Sequence, residues 1–136
     1  MAMQLKNKRV LLTGATGGIG QPIAKLLAQK GAILALVGRD ATKLNKLKVE
    51  IESHGGKAFC ITADLNIAGN VERVANEAKQ QLGDIDILIN NAGVLDFIEL
   101  QDQSEARIAE MIHTNVTVPI QLTRAVVGGL QAKNQG

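Results

Sequence analysis

Apolar residues along this chain gather in short runs that alternate with stripes of helical spacing. Arg9 to Thr13, Ile33 to Val37, Lys57 to Thr62 and Ile85 to Ile89 have the length and content of buried strands. Between them, apolar positions recur every three or four residues. A helix is predicted from Ile19 to Lys30, with Ile23, Ala24, Leu26 and Leu27 on one face and Gly31 as its stop. Pro22 fits its first turn, where a missing N–H costs nothing. Asp40 can cap a second helix whose stripe, Leu44, Leu47 and Ile51, ends at Gly55-Gly56. A third helix, Ile67 to Leu82, buries Val71, Val74, Ala75 and Ala78 and stops at Gly83. One long helix, from an N-cap at Ser104 to about Lys133, closes the pattern.

Strand–helix alternation of this regularity predicts an α/β fold, a parallel sheet covered on both faces. Right-handed crossovers favour a Rossmann-type doubly wound sheet in the order 3-2-1-4. The crevice above strands one and four is then the switch point, where ligands bind in open α/β sheets. A chain of 136 residues suits one domain, without linker, repeat or low-complexity tract.

Thr13 to Gly20 read Thr-Gly-Ala-Thr-Gly-Gly-Ile-Gly, directly after a strand and directly before a helix. A flexible loop is the plainer interpretation of such glycines. The flanking elements point instead to a pyrophosphate site, because glycines admit a phosphate close to main-chain N–H groups at a helix start. Gly14, Thr16, Gly17, Gly18 and Ile19 would wrap it, with a hydroxyl added by Thr16, and Gly20 is expected to complete the cofactor-binding loop. Thr13 is better placed to brace the turn against Asn90-Asn91. At the tip of strand two stand Gly38 and Arg39, where a carboxylate would select a ribose 2′-OH and an arginine a 2′-phosphate. NADP is therefore favoured and NAD remains possible, since a lone arginine also solvates helix starts.

Four segments in order carry a family resemblance. They are Gly14, Gly18 and Gly20 spaced Gly-x-x-x-Gly-x-Gly behind Thr13; Asp64-Leu65 after strand three; Asn90-Asn91-Ala92-Gly93 after strand four; and Asn115 in the long helix. Across almost its whole length the chain resembles the N-terminal, cofactor-binding half of the short-chain dehydrogenase/reductase family. The resemblance implies an NAD(P)-dependent oxidoreductase that moves a hydride between nicotinamide and a carbonyl or alcohol carbon. It puts Asp64 against the adenine amine with the Leu65 backbone behind, although a helix N-cap is the alternative for Asp64. It sets Asn91, Ala92 and Gly93 beside the adenosine ribose, and gives Asn115 a water that leads to a catalytic lysine.

The family's proton donor is a tyrosine, with a lysine four residues later and a serine on the fifth strand. No tyrosine occurs in the 136 residues, and Gly136 precedes any fifth strand. Residues 1–136 are thus expected to form the NAD(P)-binding domain without the catalytic set, truncated before strand five, able to bind cofactor but not to turn it over. Lys133 has no tyrosine four residues before it and is assigned no role. A non-catalytic NADP-binding sensor or interaction module is the alternative. A sugar-nucleotide epimerase relative is a weaker one, against which Asn90-Asn91-Ala92-Gly93 counts.

Composition narrows the partners. A net charge of +2 with scattered Lys and Arg speaks against nucleic acid. No apolar run reaches membrane-span length, and Met1 to Arg9 lacks a signal-peptide core, so a cytoplasmic location is expected by default. Cys60, the one cysteine, excludes an internal disulfide and reads as a buried strand residue. His54 and His113 lack partners at ligand spacing, so no metal is expected. Phe59 and Phe97 are the only aromatics, which leaves an aliphatic core. An unpaired outer edge on strand four and apolar residues on more than one face of the long helix (Ile112, Val116, Ile120, Leu122, Val126 and Val127) predict a homo-oligomer. By resemblance, that helix also builds the subunit contact of the intact enzymes.

Overall fold

A computed structural model describes residues 4–136; the first three residues of the N-terminal stretch considered above lie outside it. Strands β1 (Arg9–Leu12), β2 (Ile33–Gly38), β3 (Lys57–Thr62) and β4 (Ile87–Ile89) form one parallel sheet in the order β3-β2-β1-β4. Helices α1 (Gly20–Gln29), α2 (Ala41–Ser53) and α3 (Asn70–Leu82) make the crossovers. After β4 come a 3₁₀ turn at Leu100–Asp102 and helices α4 (Glu105–Ile112) and α5 (Val118–Ala132). The Rossmann-type order expected from the alternation is the one observed.

The period-two alternation of a strand divides the core in two. Val10, Leu12, Leu34 and Leu36 point to one face and meet Ala24, Leu44, Leu47 and Ile51 of α1 and α2. Leu11, Ala35 and Val37 point to the other and meet Val71, Val74 and Ala78 of α3 with Val118, Leu122 and Val126 of α5. Both faces of β1 and β2 are buried, which explains why these strands read as unbroken apolar runs. Cys60 lies half-buried on the edge strand β3, and burial pushes its thiol pKa up.

Three boundaries differ from the sequence reading. The third helix begins at Asn70 and not at Ile67, because Asp64 and Asn66 fold the intervening residues into a turn and Gly69 enters the helix at φ +84°. Strand four is shorter than Ile85–Ile89. The Asp86 carboxylate folds back to take the Arg9 backbone N–H (2.8 Å), the contact that a neighbouring strand's carbonyl would otherwise make. The long helix is not continuous. A π turn, His113–Thr117, separates α4 from α5, and Val118 N–H donates to His113 C=O five residues back. Pro119 supplies a physical reason: it has no N–H to offer the Asn115 carbonyl four residues earlier. The Ser104 N-cap is as expected, its hydroxyl accepting from Arg107 N–H at 3.2 Å.

The C-terminal end of α5 is tied to the sheet. Lys133 Nζ donates to Asp86 Oδ1 (3.0 Å) and to the Asp84 carbonyl (3.2 Å). Lys133 therefore has a structural role that the sequence reading did not assign. Asp86 gathers donors from Arg9 and Lys133 with its side chain only 15% exposed.

Candidate functional site

β1 ends where its chain must turn sharply beneath the strand-four loop. Gly14 takes φ +63°, and a Cβ there would stand 2.9 Å from both Ala92 Cα and Asn91 Nδ2. Only glycine combines that dihedral with that approach. Gly20, at the first turn of α1, is packed harder still: a Cβ would come within 2.0 Å of the Gly14 carbonyl. Gly20 is buried and does not line the cleft, so its place is beneath the loop and not against a ligand, unlike the role expected from the motif. Gly18 is the opposite case, exposed and with open space where a Cβ would be.

The loop is braced from the far side as the sequence suggested. Thr13 is 1% exposed, and its hydroxyl accepts from Asn91 N–H and Ala92 N–H, both at 3.0 Å, and donates to the Ile89 carbonyl at 3.4 Å. Asn91 Nδ2 donates to the carbonyls of Thr13 (3.2 Å) and Gly14 (3.1 Å). Gln21 Nε2 holds the Thr16 carbonyl at 2.9 Å. No side chain caps α1, and its first turn carries no acid. Gln21 N–H donates to the Gly17 carbonyl (3.1 Å) and Pro22 has no N–H, so what this helix start offers an anion is its positive dipole end and the N–H groups ahead of Gln21.

A cleft of about 340 Å³ opens at the switch point. Gly14, Thr16, Gly17, Gly18 and Ile19 form its floor, Gly38 and Arg39 one end, Asp64 and Leu65 one wall, and Asn91, Ala92 and Gly93 the other. Segments as far apart as residues 14 and 93 share one cavity because β1 and β4 are neighbours. Arg39 is exposed at the rim. Asp40 beside it caps α2 by accepting from Lys43 N–H (3.0 Å), as expected, which leaves Arg39 as the charged group at the strand tip. Asp64 is not the cap of α3, since Gly69 holds that position; one carboxylate oxygen accepts from Asn66 N–H at 2.9 Å.

Asn115 does not line the cleft but shapes it. Its Oδ1 accepts from Val94 N–H (2.9 Å) and its Nδ2 donates to the Val94 carbonyl (2.8 Å), so both ends of the amide clamp the loop behind Gly93. Farther along that loop, Asp96 receives a two-pronged hydrogen bond from Arg107 of α4 (2.6 and 2.7 Å), which holds its carboxyl below the usual carboxylate range. Five cleft residues escaped the sequence reading: Val37, Ala63, Asn66, Val94 and Thr114. For Thr114 the available signal was Pro119, which marks a break in the helix five residues on. The described residues contain no cluster of three or more His, Cys, Asp or Glu able to hold a metal, and no helix among them is long and apolar enough to cross a membrane.

Residues 8–136 match the family model described as short chain dehydrogenase. A short chain dehydrogenase of Pseudocercospora fijiensis is 33% identical over 135 residues, covering 98% of this chain and 44% of that protein. The ketoacyl reductase HetN of a Nostoc species is 33% identical over 132 residues, covering 97% and 46%. Among solved structures, a metagenomic short-chain oxidoreductase in complex with NADP superposes with a TM-score of 0.91 at 33% identity, over 97% of this chain and 61% of that one. An alcohol dehydrogenase of the archaeon Thermococcus sibiricus complexed with 5-hydroxy-NADP gives 0.90 at 31% identity, over 96% and 56%. The chain spans about half the length of the curated relatives it matches.

Proposed function

The chain belongs to the short-chain dehydrogenase family, and we propose that residues 1–136 are the dinucleotide-binding domain of an oxidoreductase acting on a carbonyl or alcohol substrate. The observation that carries this reading is convergence: the glycine loop, the Gly38-Arg39 tip, Asp64-Leu65 and Asn91-Ala92-Gly93 all line one cleft at the switch point. The loop N–H groups and the start of α1 bind the pyrophosphate, and the Thr16 hydroxyl adds a donor. Asp64 accepts from the adenine amine against Leu65, and Gly93 lets the ribose approach the main chain. The bound nicotinamide supplies hydride transfer. With its side chain committed to Val94, Asn115 holds a water through its main-chain carbonyl, to which Pro119 four residues on cannot donate.

Arg39 selects NADP. Gly38 beside it leaves room for a dianion, and a guanidinium offers two donors to it. The NADP and 5-hydroxy-NADP complexes of the two similar structures support the same cofactor. Calorimetric titration of the purified chain tests this. Arg39→Ala is expected to weaken NADP by at least about ten-fold, the scale of one lost charge-assisted contact, and to leave NAD almost unchanged. Equal loss for both cofactors would remove Arg39 from the 2′-phosphate site.

A second reading is an NADP-binding module that does not catalyse. Under both readings the isolated chain binds without turnover, and NADPH oxidation above background by protein of confirmed mass would count against both. Reading the gene beyond the Gly136 codon separates them. In either case we place the protein in the cytoplasm.

Self-association is the remaining part of the proposal. β4 is an edge of the sheet, and Ile108, Ile112, Val116 and Ile120 expose an apolar line along α4, the π turn and α5. The loop behind Val94 adds Leu95, Phe97 and Ile98, with Phe97 93% exposed. Sedimentation at micromolar concentration is expected to show a dimer or larger species. A sharp monomer boundary with a cooperative melt would contradict it.

A further inference from the structure

Consecutive residues of the π turn reach opposite walls of the cleft. Thr114 is 7% exposed and donates its hydroxyl to Asn66 Oδ1 at 2.8 Å, on the wall that begins at Asp64. Asn115 clamps Val94 on the other wall with two hydrogen bonds. The π turn lies out of the α register, and Pro119 has no N–H to donate to the Asn115 carbonyl four residues back. Side-chain contacts therefore add to its main-chain bonds in fixing its position.

We propose that Thr114 is a positioning residue: through Asn66 it fixes the π turn, and thereby locks the Asp64–Asn66 wall and the Val94 wall into one unit. Neither wall is tied to the other by main-chain pairing, since Asp64 follows β3 and Val94 follows β4, the two opposite edges of the sheet. The side-chain route Asn66–Thr114–Asn115–Val94 is continuous and short, and three of its four residues line the cleft. Ordering one wall then lowers the cost of ordering the other, which is a coupling between the two halves of the site.

Two amides report the two walls directly. Asn66 N–H donates to Asp64 Oδ1, and Val94 N–H donates to Asn115 Oδ1; neither bond involves Thr114. Hydrogen exchange of the ligand-free chain, read by NMR, is the test. Thr114→Val, which keeps the shape and deletes the donor, is expected to speed both amides by about five-fold, the scale of one buried hydrogen bond. Thr114→Ser restores the hydroxyl and returns both close to the wild-type rate. Should Thr114→Val fold poorly, Asn66→Ala breaks the same bond from the half-buried side and is expected to speed Val94 alike.

An unchanged rate at either amide, or a uniform rise across β1 and β2 that reports global stability, overturns the proposal. A second arm uses 2′,5′-ADP, and it rests on the nucleotide reading above. Binding is expected to slow Val94 exchange in the wild type and to lose that effect in Thr114→Val. Slowing that survives the substitution means direct contact and overturns the coupling. If the wild-type chain binds no 2′,5′-ADP, the nucleotide reading fails, and the ligand-free rates decide the role of Thr114 alone.

Discussion

Gly20→Ala is expected to lower the melting temperature by about 10 °C and to remove nucleotide binding with it, whereas Gly18→Ala spares the melt and loses affinity alone. The two glycines belong to one motif and stand two residues apart, yet their surroundings differ. A Cβ at Gly20 meets the Gly14 carbonyl oxygen at 2.0 Å and two further main-chain atoms within 3.0 Å. None of these is a side-chain end that could swing away, so the loop or the helix must move. Forcing a methyl into packed backbone costs about 3 kcal/mol, the upper part of the usual overpacking range. At Gly18 a Cβ meets nothing within 4 Å, and the residue lies in the cleft floor. The added methyl there obstructs only the approach of a phosphate to the main chain. NADP affinity is expected to fall by about ten-fold or more, with the melt unchanged within a degree or two. Thermal melts and calorimetry on the same preparations check both. Unchanged stability in Gly20→Ala would show slack at the loop–helix junction. Unchanged affinity in Gly18→Ala would move the phosphate off this loop.

Removal of Asp86 carries the next largest effect, far from the cleft. Its carboxylate takes the Arg9 N–H at 2.8 Å, Arg9 Nε at 3.1 Å and Lys133 Nζ at 3.0 Å. Asp86→Ala leaves the Arg9 main-chain N–H and Nε without this acceptor, and the tie from α5 keeps only the Lys133 bond to the Asp84 carbonyl. The expected loss is about 3 kcal/mol, the scale of one or two hydrogen bonds to a charged group once non-additivity is allowed for. Burial by itself raises the Asp86 pKa, but the hydrogen bonds from Arg9 and Lys133 outweigh it and hold the carboxyl well below its ordinary 3.8. A folded-state pKa below the unfolded one adds stability that is complete above about pH 4 and fades as the pH falls through that value toward the folded pKa. The stability gap between wild type and Asp86→Asn is therefore expected to be widest at neutral pH and to narrow below about pH 4. Urea unfolding at pH 7, 5 and 3 measures it. A gap that is independent of pH would mean that Asp86 acts through its shape and not its charge.

Much of this molecule is local, and local features are legible in a linear text. β1 and β2 bury both faces, so Val10 to Leu12 and Ile33 to Val37 announce themselves as apolar runs. Asp40 and Ser104 cap helices through bonds to residues three positions on, which spacing alone reveals. Alternation of strand and helix then leaves few topologies, because right-handed crossovers exclude most of the rest. That logic yields the order 3-2-1-4, and with it the meeting of the glycine loop and Asn91–Gly93 above β1 and β4.

The features that escaped the reading depend on partners distant in the chain. β4 starts late because the Asp86 side chain takes the N–H of Arg9, 77 positions away, and no periodicity encodes that bond. Lys133 carries no role in the sequence until Asp86 is found beside it, 47 positions back. Gly14 and Gly20 are identical letters in one motif, yet Gly14 faces the cleft and Gly20 lies beneath it, as their separate neighbours decide. Asn115 stood out in the sequence through the family resemblance, but its grip on Val94 had to be seen in space. Local preferences write the strands, caps and turns into the sequence; which side chain meets which across the sheet is set by packing, since contacts between remote residues form only once the chain has brought them together.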